Sequence, residues 1–520
     1  MLRFTLLAAA CTYAHGSFIH GMRVRHPTSS IRGTDIVANA ADFLPAADQE
    51  QEAQAEDAAA AELSMMSDGW LAGALGTVPS TESAALSPLR ESAASALQSM
   101  SFPGRKEEAW RRTDLSWLAG SSVLAPATET TAASKLLEAV QSDDAAGMRL
   151  VIVDGVCDSA LSDLSALPDG MRVGGLSSGS SDKAHAALQE TLPETGADPR
   201  TALGVLPFAA LNQASLGDVA YVDVDSGVVV ERPLHVVCLT SGPEGSGVGQ
   251  GERSLSVSHP NLVVSVGAGA SLSLLQQYHG EGGYFANSVT RVRLDENATV
   301  QHSYLQEQSS EAVHVDSLLV ECAAGARYSN ALLQSGARLS RINARVGLNG
   351  PGAHGELRGL SLATDSQLID VHSEIDHVSP DCTSEQEQRN AVAGRARVVF
   401  RGAVNVPTGS DNTTAAQLCR SLLLSDNARV DIQPILTIDT DDVQCTHGAT
   451  VSDLDDEMVF YLQARGLGRV EARSLLLAGW ARDALENVPS EGAKVRAAAK
   501  AANLAPEAER KVRRESLSSI

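Results

Sequence analysis

The chain has 520 residues, a formal net charge of -24 and an isoelectric point near 4.9, and it is long enough for two or three domains with a sizeable core. Nucleic-acid phosphates would repel so acidic a chain, which argues against nucleic-acid binding. Hydrophobic residues make up 43% of the chain but aromatic residues only 4%, a composition that suits regularly layered aliphatic cores. The seven cysteines lie far apart without a CxxC pair, so they indicate a reducing compartment rather than a disulfide framework or a zinc site.

The first 40 residues have the composition of a targeting leader. Residues 1–16 contain one Arg and a short apolar run followed by small residues, which is typical of a signal-peptide core and too short for a membrane span. Residues 17–37 are basic and hydroxyl-rich, with no acid before Asp35, as in transit peptides. A two-part leader of this kind predicts a plastid bounded by extra membranes. A mitochondrial or an ordinary secretory leader remains the alternative.

The next two segments differ in composition. Residues 41–69 are acidic and Ala-rich, which predicts a solvated linker. Residues 70–200 are predicted to form a mainly helical domain, because the run SAALSPLRESAASALQSM has apolar residues at spacings of three and four. Thr113 or Asp114 is expected to cap a helix that begins at Leu115. We assign Trp110 and Trp117 to packing rather than to chemistry.

An internal period dominates residues 201–450. Small turn residues precede alternating runs at four positions, with a spacing of 28, 28 and 27 residues, at Ala270, Ala298, Ala326 and Ala353. A nearly constant period of this size is typical of a solenoid, in which each turn buries its inner face against its neighbours. A β-sandwich also has short strands with regular turns and is the competing prediction. The period is lost near Pro380, where DCTSEQEQRNAV is expected to leave the coil.

The segment from Asp441 to Thr450, DDVQCTHGAT, carries the strongest candidate for chemistry. Cys445 and His447 are separated by one residue, so an extended chain would place both side chains on one face, about 7 Å apart. Both are ligands for iron and other soft or borderline metals. Two ligands do not complete a site, so any metal here is transient or shared with another chain. The alternative is a buried thiol and a hydrogen-bonded imidazole.

Two other histidines are weaker candidates. His372 and His377 are five residues apart, so on one strand they face opposite sides and are not expected to share a metal.

Residues 451–490 predict a helical hairpin. Apolar residues form stripes along this segment, acidic residues stand near the predicted helix starts, and Arg465-Gly466 separates the two helices. Residues 491–520 are basic and Ala-rich and are predicted to be a flexible tail. The hairpin is either a docking element or a cap on the end of the solenoid, which repeat proteins need.

Several motifs resemble the SufB/SufD family of iron–sulfur cluster assembly scaffolds. They are EEAWRRTDL near the start, the run QLIDVHSEIDHVSPDCTSEQEQRNAVAGRARVVFRGAVNVP, and above all DDVQCTHGATVSDLDDEMVFYLQARGL, and the resemblance covers roughly residues 100–490. The CTHGAT site and the EEAWRRTDL segment indicate the SufD branch. The family pattern leads us to expect His where Asp381 stands and Lys-Gly where Arg389-Asn390 stands.

The resemblance implies a fold and a function. The fold is mainly β, with a right-handed parallel β-helix (solenoid) core flanked by N-terminal and C-terminal helical domains. The function is that of a non-catalytic scaffold subunit of the Suf complex, which pairs with SufB through the β-helix core and docks the SufC ATPase on its C-terminal helices. His447 and Cys445 would hold a transient iron–sulfur cluster shared with SufB. The residues implied in SufC docking are Phe460, Tyr461, Leu462, Arg465 and Gly466.

Other functions stay open. No GxxxxGK[ST] motif occurs, so we expect no ATP site in this chain, and we expect no membrane association. A β-solenoid carbohydrate-active enzyme would need clustered carboxylates, for which Asp439, Asp441 and Asp442 are the candidates. A purely structural solenoid is the third possibility.

Overall fold

A computed structural model describes residues 69–75, 86–98, 100, 102–126, 129–140, 145–189, 206–242, 254–488 and 490–505. The predicted leader lies outside the described residues, as does nearly all of the predicted acidic linker. All described residues fall within one structural unit, Ala60–Ile520.

The described chain contains many short strands between two helical regions. The strands are β1 (Ser122–Leu124), β2 (Arg149–Val153), β3 (Val156–Cys157), β4 (Met171–Gly175), β5 (Ala220–Val224), β6 (Leu234–Ser241), β7 (Ser254–Ser258), β8 (Asn261–Val266), β9 (Ser271–Glu281), β10 (Tyr284–Leu294), β11 (Thr299–Glu307), β12 (Val313–Cys322), β13 (Arg327–Gln334), β14 (Leu339–Leu348), β15 (His354–Ala363), β16 (Leu368–His377), β17 (Thr383–Val392), β18 (Arg397–Val406), β19 (Thr413–Leu423), β20 (Arg429–Ile438) and β21 (Val443–Ser452). The helices are α1 (69–75), α2 (Ser87–Leu97), α3 (Ser116–Ala119), α4 (Thr130–Val140), α5 (Asp182–Gln189), α6 (Leu206–Ala214), α7 (Asp456–Ala464), α8 (Arg469–Ala484) and α9 (Glu491–Asn503).

Successive strands from β8 onward alternate between two sheets. The first sheet has the order β20-β18-β16-β14-β12-β10-β8-β5-β4, and the second has the order β21-β19-β17-β15-β13-β11-β9-β6-β2-β3. Each strand therefore pairs with the strand one turn of chain away, and these pairs are parallel, as in Thr299↔Arg327. This is a parallel β-solenoid of about seven turns. The predicted solenoid is confirmed, and the competing β-sandwich is wrong.

The predicted period continues through the segment where it was expected to fail. A small buried residue precedes each rung of the second sheet. It is Ala in four rungs, at Ala270, Ala298, Ala326 and Ala353, and it is Cys382 in the fifth. The residue before it has a left-handed backbone, which Gly, Asn and Asp adopt most readily. These left-handed residues are Gly269, Asn297, Gly325, Gly352, Asp381 and Asn412. The expected excursion at DCTSEQEQRNAV is therefore wrong: the segment forms strand β17.

The N-terminal region covers the outer face of the first sheet and also adds strands to the solenoid. Trp110 is fully buried and stacks on the guanidinium of Arg341, 3.7 Å from the ring centroid. Strand β2 joins the second sheet beside β6, and β4 joins the first beside β5. Thr113 donates a hydrogen bond to Asp370 of β16, and the following helix begins at Ser116. This contact fastens the segment to the solenoid.

The predicted tail contains a packed helix, which is a correction. Helix α9 buries three alanines at a spacing of four, Ala493, Ala497 and Ala501. Its Arg496 pairs with Glu307 of β11 at 2.8 Å. Alanines let the helix pack closely against its neighbours, but they give a weak hydrophobic signal in the sequence. The sequence therefore predicts a tail here instead of a packed helix. Residues 506–520 lie outside the described part of the chain.

The C-terminal hairpin lies along the side of the solenoid rather than across its end. Leu477 and Ala481 of α8 pack against outward residues of the second sheet, among them Leu275, Leu305 and Leu333. Strands β20 and β21 are the last strands in the two sheet orders, and within the described residues each pairs with one neighbour only. The predicted alternative that this hairpin caps the solenoid end is therefore wrong. Among the described helices, none is long and apolar enough to cross a membrane.

Candidate functional site

Cys445 and His447 lie on β21, the last strand of the second sheet. The register pairs Ala415 with Cys445 and Gln417 with His447. Ala415 and Gln417 are buried on the inner side of the coil, and Cys445 packs against the interior residues Val404 and Val406. The thiol and the imidazole therefore belong to one interior face, as the spacing predicts.

This interior face is open at the last rung. His447 is exposed and Cys445 is half-buried, although the residues paired with them one rung earlier are at most 3% exposed. The free edges of β20 and β21 also present backbone N–H and C=O groups, which are a template for pairing with another chain. A partner that stacked on this end would bury both side chains.

The electrostatics of Cys445 differ from what a thiolate ligand needs. Partial burial raises the pKa of the Cys445 thiol, and a backbone hydrogen bond from Ala415 opposes this rise without cancelling it. The lowered pKa that a thiolate ligand needs is therefore absent from the free chain. A metal ion or a cationic group from a partner would have to supply it.

The chain does not build a metal site of its own here. Within the described residues no group of three or more His, Cys, Asp or Glu side chains is placed to hold a metal ion. The two residues at the open rung are thus at most half of a tetrahedral ligand set.

The other two histidines have structural partners. His372 faces outward, where its Nε2 lies 3.0 Å from Asp370, and His377 bonds the hydroxyl of Ser384 at 2.9 Å. They face opposite sides of β16, as predicted.

The predicted docking residues form one exposed surface on α7 and the turn that follows it. Phe460 is 70% exposed and Tyr461 46% exposed, while Leu462 is half-buried. Arg465 lies over the Tyr461 ring at 5.0 Å, and Gly466 takes the left-handed conformation that ends the helix. Two ion pairs hold the hairpin in place, Arg473–Asp453 at 2.7 Å and Arg469–Asp456 at 3.2 Å.

The carboxylates proposed for a carbohydrate-active enzyme stand in one turn. Asp439, Asp441 and Asp442 lie between β20 and β21 and are exposed. All three share an exposed setting, whereas an acid–base pair needs two different environments.

Sequence reasoning missed the residue behind His447. Gln417 is paired with His447 across the β19–β21 ladder, but the two are 30 residues apart in the chain. From β9 to β21 the paired residues of the second sheet are offset by 28, 28, 27, 29, 31 and 30 residues, so this pairing could not be predicted without the register.

Two family models match the chain. Residues 74–236 match the SufBD protein N-terminal region, and residues 248–480 match the SUF system FeS cluster assembly, SufBD core domain. The Arabidopsis thaliana protein named "Protein ABCI7, chloroplastic" is 32% identical over 409 residues, which cover 78% of this chain and 83% of the relative.

The chain belongs to the SufB/SufD family. Other members are similar over comparable lengths. An iron–sulfur cluster assembly SufBD family protein of Synechocystis is 28% identical over 422 residues, covering 79% of this chain and 89% of the relative. The iron–sulfur cluster assembly protein SufD of Escherichia coli is 27% identical over 398 residues, covering 76% and 87%. This family member therefore has its role in the SUF system of iron–sulfur cluster assembly.

Proposed function

We propose that this chain is a non-catalytic, SufD-type scaffold subunit that pairs with a SufB-type subunit through the open end of its solenoid. The observation that carries the proposal is the last rung, where the interior face of the coil leaves His447 exposed and Cys445 only half-buried. A second solenoid stacked on β20 and β21 would continue both sheets by β-strand addition. Pairing would also exclude water from the thiol and the imidazole.

The nascent cluster is the cargo of this pair. His447 would bind iron through one ring nitrogen, and Cys445 would bind iron or hold sulfide once a metal or partner charge lowers its pKa. The remaining ligands would come from the partner, because the described residues of this chain offer only two at the rung. A site divided between two subunits can release its cluster when the subunits move apart, which suits a transient scaffold.

We also propose that α7 docks a SufC-type ATPase. Phe460 and Tyr461 are large apolar side chains on the surface of a helix that ion pairs hold against α8. Exposed aromatic residues of this kind are frequent hot spots in protein interfaces. ATP binding in the docked subunit would then act on the solenoid pair through a rigid hairpin. The chain itself would need no ATP site.

One relative and the composition of the leader support a proposal for the compartment. A similar protein of Arabidopsis thaliana is named chloroplastic, and residues 1–40 have the composition of a two-part leader. We propose a plastid stroma, reached in a complex plastid through a signal peptide followed by a transit peptide. The mitochondrion is the alternative.

Replacing His447 with Ala tests the proposed cluster role. The side chain is exposed, so the variant should fold and should co-purify with SufB-type and SufC-type partners as the unmodified chain does. Iron and acid-labile sulfide in the purified complex should fall at least about tenfold, the scale on which lost support for a metal site reduces metal affinity. Thr446→Ala is the matched control, because Thr446 is exposed on the opposite face of the same strand.

Two results would count against this role. One is a His447→Ala complex with normal iron and sulfide, which would remove His447 from the ligand set. The other is a variant that no longer pairs with its partner, which would make His447 an interface residue rather than a ligand.

A further inference from the structure

A buried amide lies directly behind His447. Gln417 of β19 is 3% exposed and is the register partner of His447 on the interior face of the coil. Its Nε2 donates a hydrogen bond to Oε1 of Gln386, one rung deeper, at 2.7 Å. Gln386 in turn donates through its own Nε2 to the hydroxyl of Ser373. In this relay the Gln417 amide presents Nε2 to Gln386, and its Oε1 takes no part in that bond.

The relay ends in an acceptor that has no donor. Oε1 of Gln417 is buried and finds no hydrogen-bond partner in the described structure. Leaving a buried acceptor unpaired is unfavourable, because it loses its hydrogen bonds to water without gaining others, so such atoms are uncommon unless something else supplies the donor.

The position of the amide is also fixed by packing. A Cβ added to Gly402 of β18 would meet Nε2 of Gln417 at 2.2 Å and Oε1 of Gln386 at 2.9 Å. The glycine therefore leaves the space that the two amides fill. Turning over the Gln417 amide alone would break its bond to Gln386, so in this arrangement Oε1 is the atom left available.

The donor that this oxygen lacks is available on the next strand. Neighbouring strands lie about 4.8 Å apart with paired side chains on the same face, which brings the His447 ring within reach of Gln417. The described residues give the His447 ring no hydrogen bond. An imidazole that binds a metal through one nitrogen carries a proton on the other, and that N–H needs an acceptor to hold the ring in one tautomer and orientation.

We propose that Gln417 is a positioning residue for His447: its Oε1 accepts the free ring N–H when His447 binds iron through the other nitrogen. This inference rests on the proposed function and deepens it, because it concerns the same rung. The amide relay through Gln386 and Ser373 ties the orientation of the ligand to the rigid interior of the solenoid. Gln417 itself does not touch the cluster.

The test compares three variants in the complete complex with SufB-type and SufC-type partners. Gln417→Leu removes the acceptor and keeps a side chain of similar size. Gln386→Leu breaks the same relay one rung deeper and leaves an amide next to His447. Gln417→Glu provides an acceptor at the same place, and the Gln386 amide can turn over to donate to the carboxylate while accepting from the Ser373 hydroxyl. The measurements are thermal stability, iron retention against a chelator, and the nitrogen hyperfine coupling of the histidine ligand in the reduced cluster.

Gln417→Leu should assemble normally but lose iron about tenfold faster or more completely, with an altered histidine coupling. Gln386→Leu should alter the coupling less, and Gln417→Glu should restore iron retention. An unchanged Gln417→Leu complex overturns the proposal. So do equal losses in Gln417→Leu and Gln386→Leu that track a loss of thermal stability, because a merely structural role predicts them.

The His447→Ala complex shows whether the ligand assignment of His447 fails or only the positioning role of Gln417. If it loses iron while Gln417→Leu does not, only the positioning role is wrong. If it retains its iron, the ligand assignment is wrong, and the role of Gln417 is wrong with it.

Discussion

Lowering the pH from 7 to 5 is expected to reduce the free energy of unfolding by several kcal/mol, because the solenoid buries neutral histidines. Burial lowers the pKa of His259, His302 and His314 to about 3 and that of His235 to about 4, from an ordinary value of 6.5. These side chains are at most 5% exposed. The unfolded chain protonates them near pH 6.5, whereas the folded chain does not.

Burial is the cause of the lowered pKa of these histidines, and the hydrogen bonds of His302 suit its neutral ring. His302 contacts the hydroxyl of Tyr328 through Nδ1 at 2.9 Å and Oε1 of Gln276 through Nε2 at 3.0 Å. A ring with its proton on Nε2 donates to Gln276 and accepts from Tyr328, so one neutral tautomer satisfies both bonds. A second proton would turn the accepting nitrogen into a donor and place a charge in a buried site.

The sign of the effect follows from proton binding. A lowered folded pKa means that the unfolded state binds more protons below pH 6.5, so stability is present above that pH and is lost as the pH falls toward 3 to 4. Each such histidine lowers the free energy of unfolding by about 2 kcal/mol at pH 5 relative to neutral pH. Burial acts in the opposite direction on two carboxyl groups, raising the pKa of Asp316 to about 6 and that of Glu374 to about 7. They offset part of the loss but not all of it.

The measurement is denaturant unfolding at a series of pH values between 8 and 5. His302→Gln should reduce the slope of stability against pH by up to about 1.4 kcal/mol per pH unit, the contribution of one proton. Thr446→Ala is the control and should leave the slope unchanged, because it changes an exposed side chain and removes no titratable group. A free energy of unfolding that does not change from pH 7 to pH 5 would contradict the claim that the folded chain keeps these buried histidines neutral.

Removing the buried guanidinium of Arg341 should have a comparably large effect. Arg341 is fully buried and donates to Oδ2 of Asp370 at 2.8 Å and to the carbonyl of Ala109 at 2.7 Å. Thr113 and His372 also bond the same carboxylate. Arg341 therefore joins the N-terminal segment to the first sheet and neutralises a charge that has no access to water.

Arg341→Met should reduce the free energy of unfolding by about 3–5 kcal/mol, because it leaves the Asp370 carboxylate buried without its cation. Urea unfolding measures the loss, and limited proteolysis should show earlier cleavage of the segment around Ala109. The double variant Arg341→Met with Asp370→Asn should recover much of the stability, since no charge is left unpaired.

An exposed ion pair provides the control. Arg172 and Asp225 lie 3.0 Å apart with about half of each side chain exposed, so Arg172→Met should cost at most about 1 kcal/mol. Equal losses in Arg341→Met and Arg172→Met would show that burial does not set the strength of the Arg341 pair.

The period of the sequence was enough to predict the solenoid, because small buried residues at its turns recur with every rung. It was not enough to follow the coil past Pro380. There Cys382 replaces the expected alanine, and Asp381 supplies the left-handed turn that Gly or Asn supplies elsewhere. The physical requirement is a small side chain after a left-handed residue, and several residue types satisfy it. Pattern reading by residue identity therefore missed β17.

The candidate site was predicted in part for a similar reason. Strand alternation is a local property, so the shared face of Cys445 and His447 could be predicted from their spacing alone. The openness of that face depends on where the C-terminal helices pack, and the role of Gln417 depends on the register between rungs of unequal length. Both are properties of the tertiary structure.

The most direct test of the account is hydrogen exchange along this chain, alone and with its partners. Adding a SufB-type subunit should slow exchange of the backbone amides of β20 and β21, residues 429–452, because their free edges gain hydrogen bonds. Adding a SufC-type ATPase should instead slow exchange around residues 456–466. Protection by the SufB-type subunit elsewhere on the solenoid, with β20 and β21 unchanged, would contradict the claim that the open last rung is the pairing surface.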